Sequence, residues 1–176
     1  MLKMFTTQLS GLFKRISEKE EIAFEDGARL LAQAPVGDGT IYIIGTKEMK
    51  AVENEAFEGA EPFVGAKSLN AGNVTHLSNA DRVVIFSRTD RDEQAVALAT
   101  QLREKEVPFV AVSSVIDSSD SRLAELADVH IDLWLIKGLL PDDFGGRFCY
   151  PSSMAALYVY FGLKFTIEEI LAEYEE

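Results

Sequence analysis

Cysteine occurs once in this chain, at Cys149, and histidine twice, at His76 and His130. A single thiol excludes an intrachain disulfide. Together with two widely separated imidazoles it makes no set of ligands at zinc-site spacing. Neither a metal nor a cofactor is expected. Long apolar runs are also missing. None reaches the roughly 18 residues that a bilayer-spanning helix needs, and Met1-Leu2-Lys3-Met4-Phe5 lacks the long apolar core of a signal peptide. Positive charge is scarce: 17 Lys and Arg stand against 29 Asp and Glu, for a formal net charge of −12. General binding to nucleic acid or to an anionic membrane needs a basic surface, so neither partner is expected. A single bound phosphate is not excluded, because it needs only a local positive pocket. The simplest expectation is a cytoplasmic protein.

What is present suits one domain. The length of 176 residues, with 47% hydrophobic and 26% charged residues, allows a substantial core. Phe5, Leu9, Leu12, Phe13 and Ile16 repeat at three and four and predict a helix; Ala23, Leu30 and Leu31 extend a weaker pattern to Gln33. Pro35 to Gly39 then breaks the chain. Thr40 to Gly45 is a nearly continuous apolar run, the pattern of a strand covered on both faces. Met49, Val52 and Ala56 mark a helix face after it. Pro62 to Ala66 reads as a short strand and residues 67–79 as a loop. Arg82 to Phe86 is the next strand. Ala95, Val96, Ala99 and Leu102 give a helix ending before Pro108. Val107 to Val112 and Val129 to Leu133 are the last strands, with a short helix between them, capped by Ser118 or Ser119 and running through Ala127. After a loop with Pro141, Gly145 and Gly146, Ser152 caps a helix towards Phe161. Gly162 ends it, and Thr166 with Glu169 opens a final helix in a capping-box spacing.

Strands alternating with helices predict a three-layer α/β domain with a parallel sheet. In such folds ligands sit beyond the carboxyl ends of the strands, near a topological switch point. Two turns belong there: Gly45-Thr46-Lys47 and Ser87-Arg88-Thr89. The second lies in a stretch, Ala80 to Glu93, that reads as buried strand, hydroxyl-bearing turn and helix start. Backbone N–H groups at a helix N-terminus lack partners and carry partial positive charge, and a phosphate fills them with help from Ser and Thr hydroxyls. Arg88 and Arg91 fit as phosphate clamps. Asp90 and Asp92 oppose this, since two like unit charges at about 4 Å cost on the order of 4 kcal/mol at a surface-like dielectric. The plainer readings are that Thr89 or Asp90 only caps the helix, with Asp90 and Glu93 as the capping box. Arg88 and Arg91 are then solvated turn residues, and Lys47 an ordinary surface lysine.

Four segments carry a family resemblance: Gly39-Thr40-Ile41-Tyr42-Ile43-Ile44-Gly45, Asn79 to Ser87, Val107 to Val112, and Leu126 to Asp132. In order and spacing, over roughly residues 35–135, they resemble the sugar isomerase (SIS) domain. The whole chain is similar to small bacterial proteins labelled phosphoheptose isomerase. The resemblance implies a five-stranded parallel sheet with flavodoxin-like SIS topology, in one SIS-like domain over residues 1–176. N-terminal helices would occupy 3–34, the αβα core 39–135 and C-terminal helices 152–175. It also implies a phosphorylated sugar as ligand and a homodimer or homotetramer.

That family includes ketose–aldose isomerases and sugar-phosphate-sensing regulators, and its phosphate usually sits in a Ser-x-Ser-Gly-x-Ser/Thr turn after the third strand. Ser87 and Thr89 match the first two hydroxyls. Asp90 stands at the Gly and Asp92 at the last hydroxyl. Gly45, Thr46 and Lys47 replace the usual Gly-rich turn after the first strand. Isomerisation needs a base and an acid. The resemblance places a carboxylate on the helix after the first strand, where Glu53, Glu55 and Glu58 lie; Glu55 is the choice, against the plainer reading of a solvated acidic face. His76, in the loop before the third strand, is the second candidate, from its own or a neighbouring subunit. Phosphoheptose isomerases carry a histidine on the C-terminal helix, and Ser152 to Tyr160 has none. Three readings stay open: an isomerase, a non-catalytic sugar-phosphate sensor, and a structural or interaction protein with a degenerate pocket.

Overall fold

The computed structural model describes residues 1–175; Glu176, the last residue of the expected domain, lies outside the described residues. Its middle layer is a five-stranded sheet of β1 (Ile41–Gly45), β2 (Lys67–Ser68), β3 (Arg82–Thr89), β4 (Phe109–Ser114) and β5 (Val129–Asp132), in the order β2-β1-β3-β4-β5. Every pairing is parallel. The expected three-layer architecture is therefore present. Side chains alternate across the sheet, and this divides the core in two. Ile41, Ile43, Val84, Phe86, Val110 and Val112 face a layer of α1 (Leu2–Lys19), α2 (Glu21–Val36), α3 (Lys50–Glu58) and α7 (Ser152–Glu175). Val83, Ile85, Phe109 and Ala111 face α5 (Glu93–Glu104) and α6 (Arg122–Leu126). Full burial of each large apolar side chain contributes roughly 1.5–3 kcal/mol. The crossover changes face between β1 and β3, which is where a switch-point crevice forms.

Several boundaries differ from the sequence reading, each for a local reason. Pro62 to Ala66 is not a strand: Gly65 has φ +84° and the chain turns there, so β2 begins only at Lys67. Within 67–79, Asn70 accepts hydrogen bonds from the N–H groups of Gly72 and Asn73, opening the short helix α4 (Ala71–Val74). α6 starts after Ser121 rather than at Ser118 or Ser119. The loop after β5 holds a small hairpin of β6 (Leu140–Pro141) and β7 (Arg147–Phe148).

Gly162 does not end a helix. α7 runs unbroken through it, and a Cβ there would meet the Phe24 ring of α2 at 2.6 Å. The glycine allows close helix packing, and Thr166 bonds back to the Gly162 carbonyl at 2.9 Å instead of capping a new helix. No helix among the described residues is long and apolar enough to cross a membrane.

Candidate functional site

The two turns singled out from sequence meet at the carboxyl edge of β1 and β3. Gly45 ends β1; its N–H donates to Glu53 Oε1 at 2.8 Å, and Ser68 Oγ donates to Glu53 Oε2 at 2.8 Å. Glu53 therefore ties β1 to β2. The Thr46 N–H donates to the Phe86 carbonyl at 3.0 Å, while Thr46 Oγ1 is buried without a partner. Lys47 opens a 3-10 turn, Lys47–Met49, in the left-handed region at φ 50°.

β3 continues past Phe86 to Thr89, so Ser87 and Thr89 lie in the strand and not in a turn. Ser87 is fully buried and its hydroxyl donates to the Thr89 carbonyl at 2.8 Å. Thr89 is half-buried at the strand end. Asp90 does not cap the helix. It is fully buried, its N–H donates to the Ser114 carbonyl at 3.0 Å, its carbonyl accepts from the Leu123 N–H, and its Oδ1 accepts from the Ile116 N–H at 3.1 Å. Asp90 thus clamps the ends of β3 and β4 to α6.

The cap of α5 is Asp92. Its Oδ1 accepts from the Ala95 N–H at 3.0 Å, and its Oδ2 pairs with Lys47 Nζ at 3.0 Å. The protein's own carboxylate therefore occupies the anion position at this helix N-terminus. Burial works against the Asp92 charge, but the hydrogen bonds from Lys47 and the Ala95 N–H together hold the carboxyl below its usual range.

The arginines are engaged as well. Arg88 makes a two-pronged pair with Glu48, at 2.6 and 2.9 Å, and those hydrogen bonds hold the Glu48 carboxyl below its usual range. Arg91 pairs with Asp120 at 3.4 Å and Asp117 at 3.6 Å. So Lys47, Arg88 and Arg91 together face four carboxylates, Asp92, Glu48, Asp117 and Asp120, before any ligand arrives. Sequence reasoning missed the roles of Glu48, Glu53 and Asp92. An Asp immediately ahead of the helix whose apolar face begins at Ala95 was the one local signal for the cap.

Asp92→Ala is expected to cost about 1–2 kcal/mol, by loss of the cap and its lysine pair, measured by chemical denaturation at pH 7. The sign in acid is fixed by the lowered carboxyl: this stability is present above the ordinary Asp range and disappears as pH falls through the lower folded value. The variant should therefore approach wild type at low pH.

The proposed proton-transfer residues lie elsewhere. Glu55 sits five residues into α3, about 7.5 Å along its axis from Lys50, half-buried near Tyr160. Burial and then Glu55 push the Tyr160 phenol up to about 12, and its hydroxyl is buried without a partner. His76 is exposed in the segment leading into the start of β3, at the amino edge of the sheet. Its Nδ1 lies 3.1 Å from the Gly72 carbonyl, and Lys105 at the end of α5 reaches the adjacent Thr75 carbonyl. Glu55 lies against α7 on one face of the sheet and His76 beside the end of α5 on the other, so within one chain the two are not brought together. His130 lies in β5 with Nε2 2.8 Å from Ser113 Oγ, and burial lowers it to about 4, so the ring is neutral at pH 7. Among the described residues no group of three or more His, Cys, Asp or Glu is placed to hold a metal ion.

This strand order with its helical layers defines an α/β protein with the sugar isomerase domain fold. The Vibrio vulnificus NanR protein complexed with ManNAc-6P superposes with a TM-score of 0.72 at 16% identity, over 97% of this chain and 62% of that one. The sugar isomerase domain of the RpiR transcription factor from Sphaerobacter thermophilus gives 0.62 at 14% identity, over 99% and 97%. At such identities the likeness is one of fold, and at that level the resemblance read from the sequence holds. The chain belongs to the family described as domain of unknown function DUF2529, matched over residues 1–171. It is 45% identical over 174 residues to the Bacillus subtilis (strain 168) protein described as Uncharacterized protein YwjG, covering 99% of each.

Proposed function

We propose that this chain binds a phosphorylated sugar at the carboxyl edge of its sheet and does not isomerise it. The fold supports binding: it is shared with a protein held in complex with ManNAc-6P and with a domain of a transcription factor. The observation that favours a sensor over an isomerase is the separation of the acid and base candidates. Proton transfer between adjacent carbons needs both groups within hydrogen-bond reach of the substrate. Here Glu55 lies against α7 on one face of the sheet, His76 beside the end of α5 on the other, and the half-buried His130 is neutral at pH 7.

A panel of C5 to C7 aldose and ketose phosphates, screened by thermal unfolding, tests the reading. A ligand present at a hundred times its Kd adds about 2.7 kcal/mol, which raises Tm by roughly 5–10 °C in a chain of this size. At least one panel member is expected to produce such a shift and to be recovered unchanged after incubation. No shift with any member at millimolar concentration overturns sugar-phosphate binding. Aldose–ketose interconversion would instead establish an isomerase, with a partner subunit's histidine as the missing group to seek.

A further inference from the structure

A cavity of about 590 Å³ opens beside β4 and β5, next to the loop whose Asp117 pairs with Arg91. It falls within the size range of small-molecule sites. Val115 and Ile116, after β4, form one wall, and Asp132 and Trp134, at and just past the end of β5, form another. Arg15 comes from α1, while Lys137 and Arg147 come from the loop and hairpin that follow β5. The cavity thus lies at the carboxyl edge, where α/β sheets take their ligands.

Its charge is the reverse of the protein's. The whole chain has 29 acidic residues to 17 basic, yet the lining has three cations, Arg15, Lys137 and Arg147, and one carboxylate, Asp132. Among the described residues none of these cations is paired with a carboxylate. Arg147 uses two N–H groups on the Gly138 and Leu139 carbonyls, at 2.6 and 2.7 Å. That fixes its guanidinium and leaves the remaining N–H groups of the five for an anion.

The polar groups beside the cations suit a sugar. Asp132 Oδ1 accepts from the Trp134 N–H at 2.8 Å and from the Val115 N–H at 3.3 Å, which leaves Oδ2 for a hydroxyl. Trp134 is held at φ 53°, a costly backbone conformation for a bulky residue. Its indole N–H is anchored on Glu20 Oε1 at 2.8 Å, and the side chain remains partly exposed. An aromatic face, a carboxylate and unpaired cations around one cavity match a sugar ring, its hydroxyls and a phosphate in turn.

We infer that this cavity is the sugar-phosphate site, with the phosphate on Arg15, Lys137 and Arg147, the hydroxyls on Asp132 and the ring against Trp134. This rests on the reading that the chain binds a sugar phosphate, and it moves the phosphate away from Ser87 and Thr89. The turn between β3 and α5 keeps its place in the fold, its cations paired with the protein's own carboxylates.

Trp134 is the only tryptophan in the chain, so its fluorescence reports occupancy of this cavity. The full chain is titrated with the same C5 to C7 sugar phosphates and, separately, with inorganic phosphate. A saturable change in emission is expected with at least one sugar phosphate. Arg15→Glu combined with Lys137→Glu should weaken that ligand at least tenfold. Both residues are exposed, and a wild-type circular dichroism spectrum verifies the fold. Arg88→Ala, the competing variant, should change affinity less than twofold. A ligand that raises Tm without altering Trp134 emission, or that is lost in Arg88→Ala and kept in the double variant, overturns the cavity assignment while leaving sugar-phosphate binding standing. Absence of any Tm shift overturns both. A response to inorganic phosphate equal to that of every sugar phosphate overturns the roles given to Asp132 and Trp134.

Discussion

Gly45→Ala is expected to destabilise the fold by about 3 kcal/mol, lowering Tm by roughly 6–12 °C. A Cβ at this position would stand 2.2 Å from the Met49 carbonyl oxygen, 2.4 Å from its carbon and 2.8 Å from the Lys50 nitrogen. All three are backbone atoms, so no side-chain rotation relieves the clash. The 3-10 turn Lys47–Met49 would have to move away from β1. That motion strains the Thr46–Phe86 hydrogen bond and draws Lys47 from Asp92. Gly11→Ala is the matched control. Nothing lies within 4 Å of its added Cβ, and an alanine in a helix interior is favoured over glycine by up to about 1 kcal/mol. Guanidinium denaturation of both variants checks the contrast. A loss below about 1 kcal/mol for Gly45→Ala would show that β1 and the turn are not so closely packed.

Gly45 also illustrates what the sequence reveals. The long apolar runs at Ile41–Gly45, Arg82–Phe86 and Phe109–Val112 mark central strands because a parallel sheet buries both of their faces. Helix periodicity between them then gives the layers, and the layers give the carboxyl edge. Positions along the chain were harder where one residue type serves two purposes. Gly162 reads as a helix stop, but its missing Cβ makes room for Phe24, a residue 138 positions earlier whose proximity has no local signal. Asp90 and Asp92 are equally good caps by composition. Register alone puts the first under the sheet edge and the second at the start of α5.

The candidate site was legible as a place and much less so as chemistry. Alternation located the ends of β1 and β3, but the partner of each cation comes from another turn. Arg88 meets Glu48 across 40 positions, and Arg91 meets Asp117 and Asp120 from the loop after β4. The cations of the cavity were invisible for the same reason. Arg15, Lys137 and Arg147 lie in three separate segments, none with a motif, and only the fold of the hairpin after β5 gathers them with Trp134. Composition had fixed the condition they satisfy, a local positive pocket in an acidic protein.

Acidification from pH 7 to pH 4 is expected to remove about 3 kcal/mol of stability through His130 alone. Burial lowers this imidazole to about 4, against an ordinary value of about 6.5 in the unfolded chain. Between those values the unfolded chain takes up a proton that the native state refuses, so stability falls as pH falls. The contribution is complete above about pH 6.5 and is lost progressively down to the folded value, at up to about 1.4 kcal/mol per pH unit. Asp132 acts in the opposite sense: burial raises its carboxyl, so its protonation on acidification favours the native state. The His130 effect is isolated by His130→Gln, which cannot titrate and whose amide still reaches for Ser113 Oγ. Urea denaturation of both proteins from pH 7 to pH 4 should give a stability difference that changes by about 3 kcal/mol across the window. Parallel curves would mean that the imidazole is solvated and free to take a proton.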